Sequence, residues 1–382
     1  MIVPKLPTRH RSSSFVRISF LIYWLLIIYA SWYPFIGWRD LGISPFAFLS
    51  ARLPYYWTVF DVWVNVAGYL PLGLLAVLVL PRRLHFVIAI VLATLFGMLN
   101  SGVMEAVQTY LPTRVSDKLD FLTNSAGTLI GAVIGVQLRS WLDADSKILR
   151  LREYWFNRDA SRGMVIVALW PCAQLTPLSH LFGFGQLSTM TSTWLSKWFE
   201  QPISISGWIT NEAQLSVAQY WLVETIITAC GLIGAGLMLL IVLRKQAPKF
   251  ILVSLLLAAT LLIKTMASAL LFTPENALVW LTPGALTGLL IGILLLAALS
   301  FSPHQVQRWL AVLALMISLI VVNVIPDNPY YMATLQTWNL GKFLNFYGVS
   351  QFLALLWPFF ALWFLLQPMQ SMKSNLKPSL KQ

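Results

Sequence analysis

The chain has 382 residues, 58% hydrophobic and 10% charged, with a net charge of +12. Soluble domains carry about a quarter charged residues, so lipid has to solvate most of this apolar surface. The positive charge does not point to nucleic acid, because the basic residues sit in short clusters between apolar runs and no nucleic-acid motif is present. Cys172 and Cys230 give no disulfide framework, and His10, His85, His180 and His304 are too scattered for a histidine metal site.

Crossing a bilayer takes about 20 mostly apolar residues. Ten runs qualify, near 17–36, 62–80, 84–109, 119–138, 163–183, 217–243, 250–272, 278–300, 309–325 and 350–366. They predict an all-α, polytopic membrane protein with ten transmembrane helices. The first run follows Lys5, Arg9, Arg11 and Arg17 and leads into Trp32, Tyr33 and Pro34, so it reads as a retained span rather than a cleaved signal peptide. With the N-terminus in the cytoplasm, 19 of the 26 Lys and Arg residues fall in inside segments. Six fall outside (Arg39, Arg52, Arg114, Lys118, Lys197 and Lys342), and Lys264 lies within a span. This alternation predicts that both termini face the cytoplasm.

The stretch from Arg139 to Arg162 is the longest charged segment and reads as a cytoplasmic connector. It divides the chain into a four-span domain at 1–140, a connector at 141–162 and a six-span domain at 163–382. No internal repeat or low-complexity segment is evident.

Polar residues recur at helical spacing in three of the first four spans. Asp61, Asn65 and Gly68 step along the second span. Gly97, Ser101, Glu105 and Gln108 step along the third. Asp120, Asn124, Gly127, Gly131 and Gly135 step along the fourth. Each set forms one stripe. Small residues allow close backbone approach, so the stripes are expected to face one another rather than lipid. In the predicted topology Asp61, Glu105 and Asp120 share one depth near the outer surface. Arg114 and Asp117 join them from the intervening loop. The expectation is an extracytoplasmic pocket lined by these residues with Asn65, Ser101, Gln108 and Asn124. Charges in hydrocarbon cost about 2.5–3.5 kcal/mol each even on insertion scales, which favours a functional origin over a packing clamp. Asp61 and Asp120, near helix N-termini, also suit capping.

The run Asp61-x3-Asn65, Pro71-Leu72-Gly73, Ser101-x3-Glu105-x2-Gln108 and Arg114-x2-Asp117-x2-Asp120-x3-Asn124-x2-Gly127-x3-Gly131 resembles the VanZ-like domain over about residues 20–140. The resemblance implies a bacterial cytoplasmic-membrane protein of the cell envelope. Its naming member is linked to teicoplanin-type glycopeptide resistance. The resemblance does not reach the six C-terminal spans and implies no particular reaction.

The residue types bound the chemistry. Carboxylate and carboxamide oxygens without histidine or cysteine suit Mg²⁺ or Ca²⁺. Arg114 suits an anionic group such as a phosphate. Crowded carboxylates suit acid or base work, with Glu105, Asp120 and Asp61 as the catalytic candidates. Arg114, Asn65, Gln108, Asp117, Asn124 and Ser101 are the substrate-binding candidates. Binding without chemistry fits equally well. The expected role is recognition or modification of a lipid-linked or cell-wall precursor at the outer face. The rivals are transport of an amphiphile and a scaffold for envelope proteins.

In the C-terminal half, Glu224 and Lys264 lie at similar depth on adjacent spans, and an ion pair is expected. Gln174 and His180 fall near the outer end of the fifth span. Pro283 and Gly284 suggest a kink in the eighth. The loop 184–216 carries Trp194, Trp198 and Trp208, residues suited to a membrane interface.

Overall fold

The computed structural model describes residues 14–33, 35, 37–112, 114–141, 151, 153–157, 160–176, 178, 180–210, 215–271, 276–325 and 344–367. Much of the connector, most of the loop at 326–349 and the basic clusters at both termini lie outside the described residues. The regular elements are all α-helices. They divide into two compact units, Met1–Leu151 and Arg152–Gln382.

Unit 1 contains α1 (Ser14–Trp32), the short α2 (Ala47–Ser50), α3 (Val59–Val79), α4 (Phe86–Gln108) and α5 (Lys118–Trp141). Local sequence sets the helix starts. Thr58 and Asp61 form a reciprocal capping box on α3. The His85 side chain accepts the Val87 amide at the start of α4. The Asp117 carboxylate accepts the Leu119 amide at 2.9 Å at the start of α5.

The α3–α5 pair is the most extensive packing in the unit. A Cβ added to Gly127 would overlap the Val66 carbonyl, and one on Gly131 the Leu70 carbonyl. Gly135 lies against Leu74, and Gly73 against the Thr128 carbonyl. Val66 with Gly127, Leu70 with Gly131 and Leu74 with Gly135 keep one constant offset, so the two helices run parallel. On α4 the order reverses. Gly97 meets the Thr128 side chain, and Ser101 meets Asn124. α4 is therefore antiparallel to α5.

Unit 2 contains α6 (Ser161–Ala173), α7 (Leu187–Phe199), α8 (Ile205–Thr210), α9 (Val217–Val242), α10 (Lys249–Leu271), α11 (Pro283–Leu299), α12 (His304–Val324) and α13 (Leu344–Leu366). α9 is the hub, packed by α11, α12 and α6. Its apolar window is 83% buried, against 28% for α3 and α4 and 17% for α10. An apolar helix left so largely uncovered needs lipid around it.

Among the described residues, six helices are long and apolar enough to cross a membrane: α3, α4, α5, α9, α10 and α12. The remaining four predicted spans are shorter apolar helices, α1, α6, α11 and α13 in their described parts. The largest difference from the sequence expectation is at 163–183. There α6 stops at Ala173, with Pro171 in its last turn, and the described residues that follow are not helical. Leu181 and Phe182 from this stretch, with Phe184 just after it, are buried in the main core beside Trp170 and Trp357.

Two further expectations are corrected. Pro283 does not kink a span. It is the first residue of α11, after the N-cap Thr282, where its missing N–H is harmless. Glu224 and Lys264 do not pair with each other. Lys264 Nζ donates to the Thr176 carbonyl at 3.4 Å, whereas Glu224 Oε2 accepts from the Thr282 hydroxyl at 2.5 Å. The reason is packing, since α10 lies mainly against α6 and barely touches α9. Trp194, Trp198 and Trp208 lie on α7 and α8 with their rings exposed.

Candidate functional site

The polar stripes of α4 and α5 meet at the end of unit 1 where α4 finishes and α5 begins. Ser101 is fully buried, and Glu105 and Asn124 are nearly so. Asn124 Nδ2 donates to Ser101 Oγ at 3.0 Å. Glu105 Oε2 accepts the Asp117 backbone amide at 2.8 Å, which ties the end of α4 to the start of α5. Asn65 Nδ2 donates to Asp120 Oδ1 at 2.7 Å and adds α3 to the cluster. Glu105, Asp120, Asn65, Ser101, Asp117 and Asn124 thus form one constellation.

Asp61 sits at its edge. Its carboxylate accepts the Thr58 hydroxyl at 2.6 Å and the Thr58 amide at 3.2 Å, and the residue is exposed. Its hydrogen bonds are those of a helix cap, and its charge is close enough to act on Asp120. Arg114 and Gln108 serve the end of α1. Arg114 Nη2 donates to the Tyr33 carbonyl at 2.5 Å, and Gln108 Nε2 to the Ser31 carbonyl at 3.0 Å. Burial holds the Arg114 guanidinium below its usual pKa.

A second polar chain, missed in the sequence reading, runs from α1 into the same helices. Trp24 Nε1 donates to Asn100 Oδ1 at 2.7 Å, and Asn100 Nδ2 to Tyr69 Oη at 3.4 Å. The Tyr23 hydroxyl donates to the Gly68 carbonyl at 2.8 Å. Asn100, an amide inside an apolar run and next to Ser101, was the available signal.

One atom in the constellation has no partner. Asn124 Oδ1 is buried without a hydrogen bond. Turning the amide over does not help, because Ser101 Oγ then satisfies the oxygen and orphans the nitrogen. An orphaned buried amide atom costs about 1–3 kcal/mol, so a polar ligand or water reaching it would be favoured. Among the described residues no three Asp, Glu, His or Cys side chains gather as a metal ion needs. The arrangement offers a buried carboxylate, an amide oxygen and a second carboxylate, a surface suited to hydrogen-bond donors such as hydroxyls, amides or ammonium groups.

No curated protein and no solved structure matches the chain. The family model described as VanZ/LLP1 matches residues 16–139, which takes in every residue of the constellation. Residues 16–139 are a VanZ-like domain at the N-terminus of a membrane protein, followed by a C-terminal extension of several apolar helices.

Proposed function

We propose that the VanZ-like domain recognises a cell-envelope precursor at the outer face of the bacterial cytoplasmic membrane. The observation that carries this reading is the orphaned Asn124 amide oxygen beside buried Ser101 and Glu105. A buried amide oxygen left unmatched costs its desolvation, so a donor that reaches it is favoured. The VanZ-like family is associated with glycopeptide resistance, which supports an envelope setting. The basic residues support a ten-helix topology with both termini inside, and that topology puts the start of α5 at the outer surface. The precursor is envisaged as lipid-linked, with a donor-rich sugar or peptide head.

A scaffold for envelope proteins is the second reading. It is favoured by Glu105, whose contact is a backbone amide at 2.8 Å. The two readings separate in a deletion strain carrying wild type, Glu105→Gln or Asp120→Asn. Equal folded protein is confirmed by size-exclusion in detergent. Glycopeptide susceptibility, in a host whose wall the drug reaches, and lipid-linked precursor pools are then scored. Recognition predicts loss of phenotype with folding intact, whereas full activity in both variants moves the function to the scaffold reading.

A further inference from the structure

Lys264 is buried in α10 of unit 2, and its ammonium has one contact among the described residues, the 3.4 Å bond to the Thr176 carbonyl. An ammonium has three hydrogens to place, and one long bond to a neutral carbonyl leaves the charge nearly uncompensated. The glutamate expected to neutralise it is bonded to Thr282 instead.

The segment that supplies that carbonyl is unusual in the same way. Fourteen buried side-chain nitrogen or oxygen atoms among the described residues have no hydrogen-bond partner. Five of these belong to the short stretch from Trp170 to His180: Trp170 Nε1, both amide atoms of Gln174, Thr176 Oγ1 and His180 Nδ1. All four residues are at least nine-tenths buried, and Gln174 is fully so. Trp170 and Gln174 are four residues apart, one turn on a single face of α6 as it ends. Thr176, two residues further on, is the residue that Lys264 touches. Orphaned atoms are rare in folded proteins and rarer in clusters, because each costs its desolvation.

Donors outnumber acceptors in the cluster: indole N–H, amide N–H, hydroxyl and ammonium stand against the Gln174 amide oxygen, and the ammonium brings a full positive charge. We propose that Trp170, Gln174, Thr176, His180 and Lys264 form an internal binding site for a small anionic group, a carboxylate, phosphate or halide. The anion gives the lysine its counter-charge and the amide, indole and hydroxyl their acceptor. The site belongs to unit 2 and is independent of the VanZ-like domain.

The test uses the full-length protein in nanodiscs of phosphatidylcholine. Its Tm is followed in sodium chloride, phosphate and acetate against buffer without added salt, with Lys264→Met as the control for ionic strength. A saturable rise of roughly 5 °C is expected with at least one anion. Lys264→Met should show no such rise, and Gln174→Leu should need about tenfold more anion for the same shift. Repetition in phosphatidylglycerol nanodiscs separates the sources. A raised Tm that no longer responds to added anion, and that Lys264→Met lacks, assigns the anion to a lipid headgroup. An unchanged response assigns it to a free anion. Absence of any response in wild type in either lipid overturns the proposal and leaves buried water as the occupant. An identical response in Lys264→Met overturns it as well. Should Lys264→Met fail to fold, unchanged half-saturation in Gln174→Leu is the overturning result.

Discussion

At the scale of single residues, like side chains in unit 1 do different work. Glu105 and Asp61 both accept a backbone amide, yet Glu105 is 2% exposed and closes α4 onto α5, whereas Asp61 is exposed and closes only its own first turn. Asp61→Ala should therefore lower stability by about 0.5–2 kcal/mol, the usual worth of a cap, and leave the envelope phenotype intact. Denaturation in detergent together with the susceptibility assay checks both halves. Ser101→Ala removes the one partner of the Asn124 amide and should cost about 1–3 kcal/mol, although only a hydroxyl is lost. The same unfolding measurement decides it, and a neutral result would mean that water already serves Asn124. The identity of the buried polar residues was legible, because Ser101, Glu105 and Asn124 fall on helical stripes. Asp61 was legible only as ambiguous, because an acid three residues after Thr58 satisfies a capping pattern and a stripe pattern at once. Partner atoms were not legible, since spacing fixes a face and not a contact.

At the scale of elements, the glycines of α5 mattered more than their number suggests. Their four-residue step predicted close approach, and the structure puts Val66 and Leu70 backbone atoms where their side chains would be. Gly131→Val should cost at least about 1–3 kcal/mol, because the clash is with a carbonyl that cannot rotate aside. Thermal unfolding in detergent should show a larger drop for it than for Gly102→Ala, whose added Cβ meets only the Phe121 ring at 3.7 Å. At α11 the sequence signal was right in kind and wrong in position. Proline marked a boundary and not a bend. Thr282→Ala should thus cost more than the about 1 kcal/mol of a lost cap, because the same hydroxyl also donates to buried Glu224.

At the scale of the whole molecule, helix class and membrane character followed directly from composition, and the division near residue 151 lies close to the charged connector. The fifth run was less legible. Hydropathy counted 163–183 as one span because Leu175, Leu178, Leu181 and Phe182 carry the average across Gln174, Thr176 and His180, but Leu181 and Phe182 are buried in the protein core. A window average does not distinguish burial in protein from contact with lipid. The predicted orientation is open to a direct check. Reporter fusions after Pro112 should report an outside location, and fusions after Arg83 or Ala247 an inside one. An inside signal at Pro112 would place the polar constellation on the cytoplasmic side and end the outer-face reading.

The seam between α3 and α5 also has a mechanical consequence. Two smooth helices can slide along each other, but here carbonyls sit in notches at Gly127 and Gly131, and Gly73 makes the reciprocal notch on α3. A slip of one residue, about 1.5 Å of rise, would drive side chains of neighbouring positions into the opposing backbone. Translation is blocked in both directions. The pair is a keyed shaft, and any opening of the polar end has to come from the swing of α4 or α1 against it.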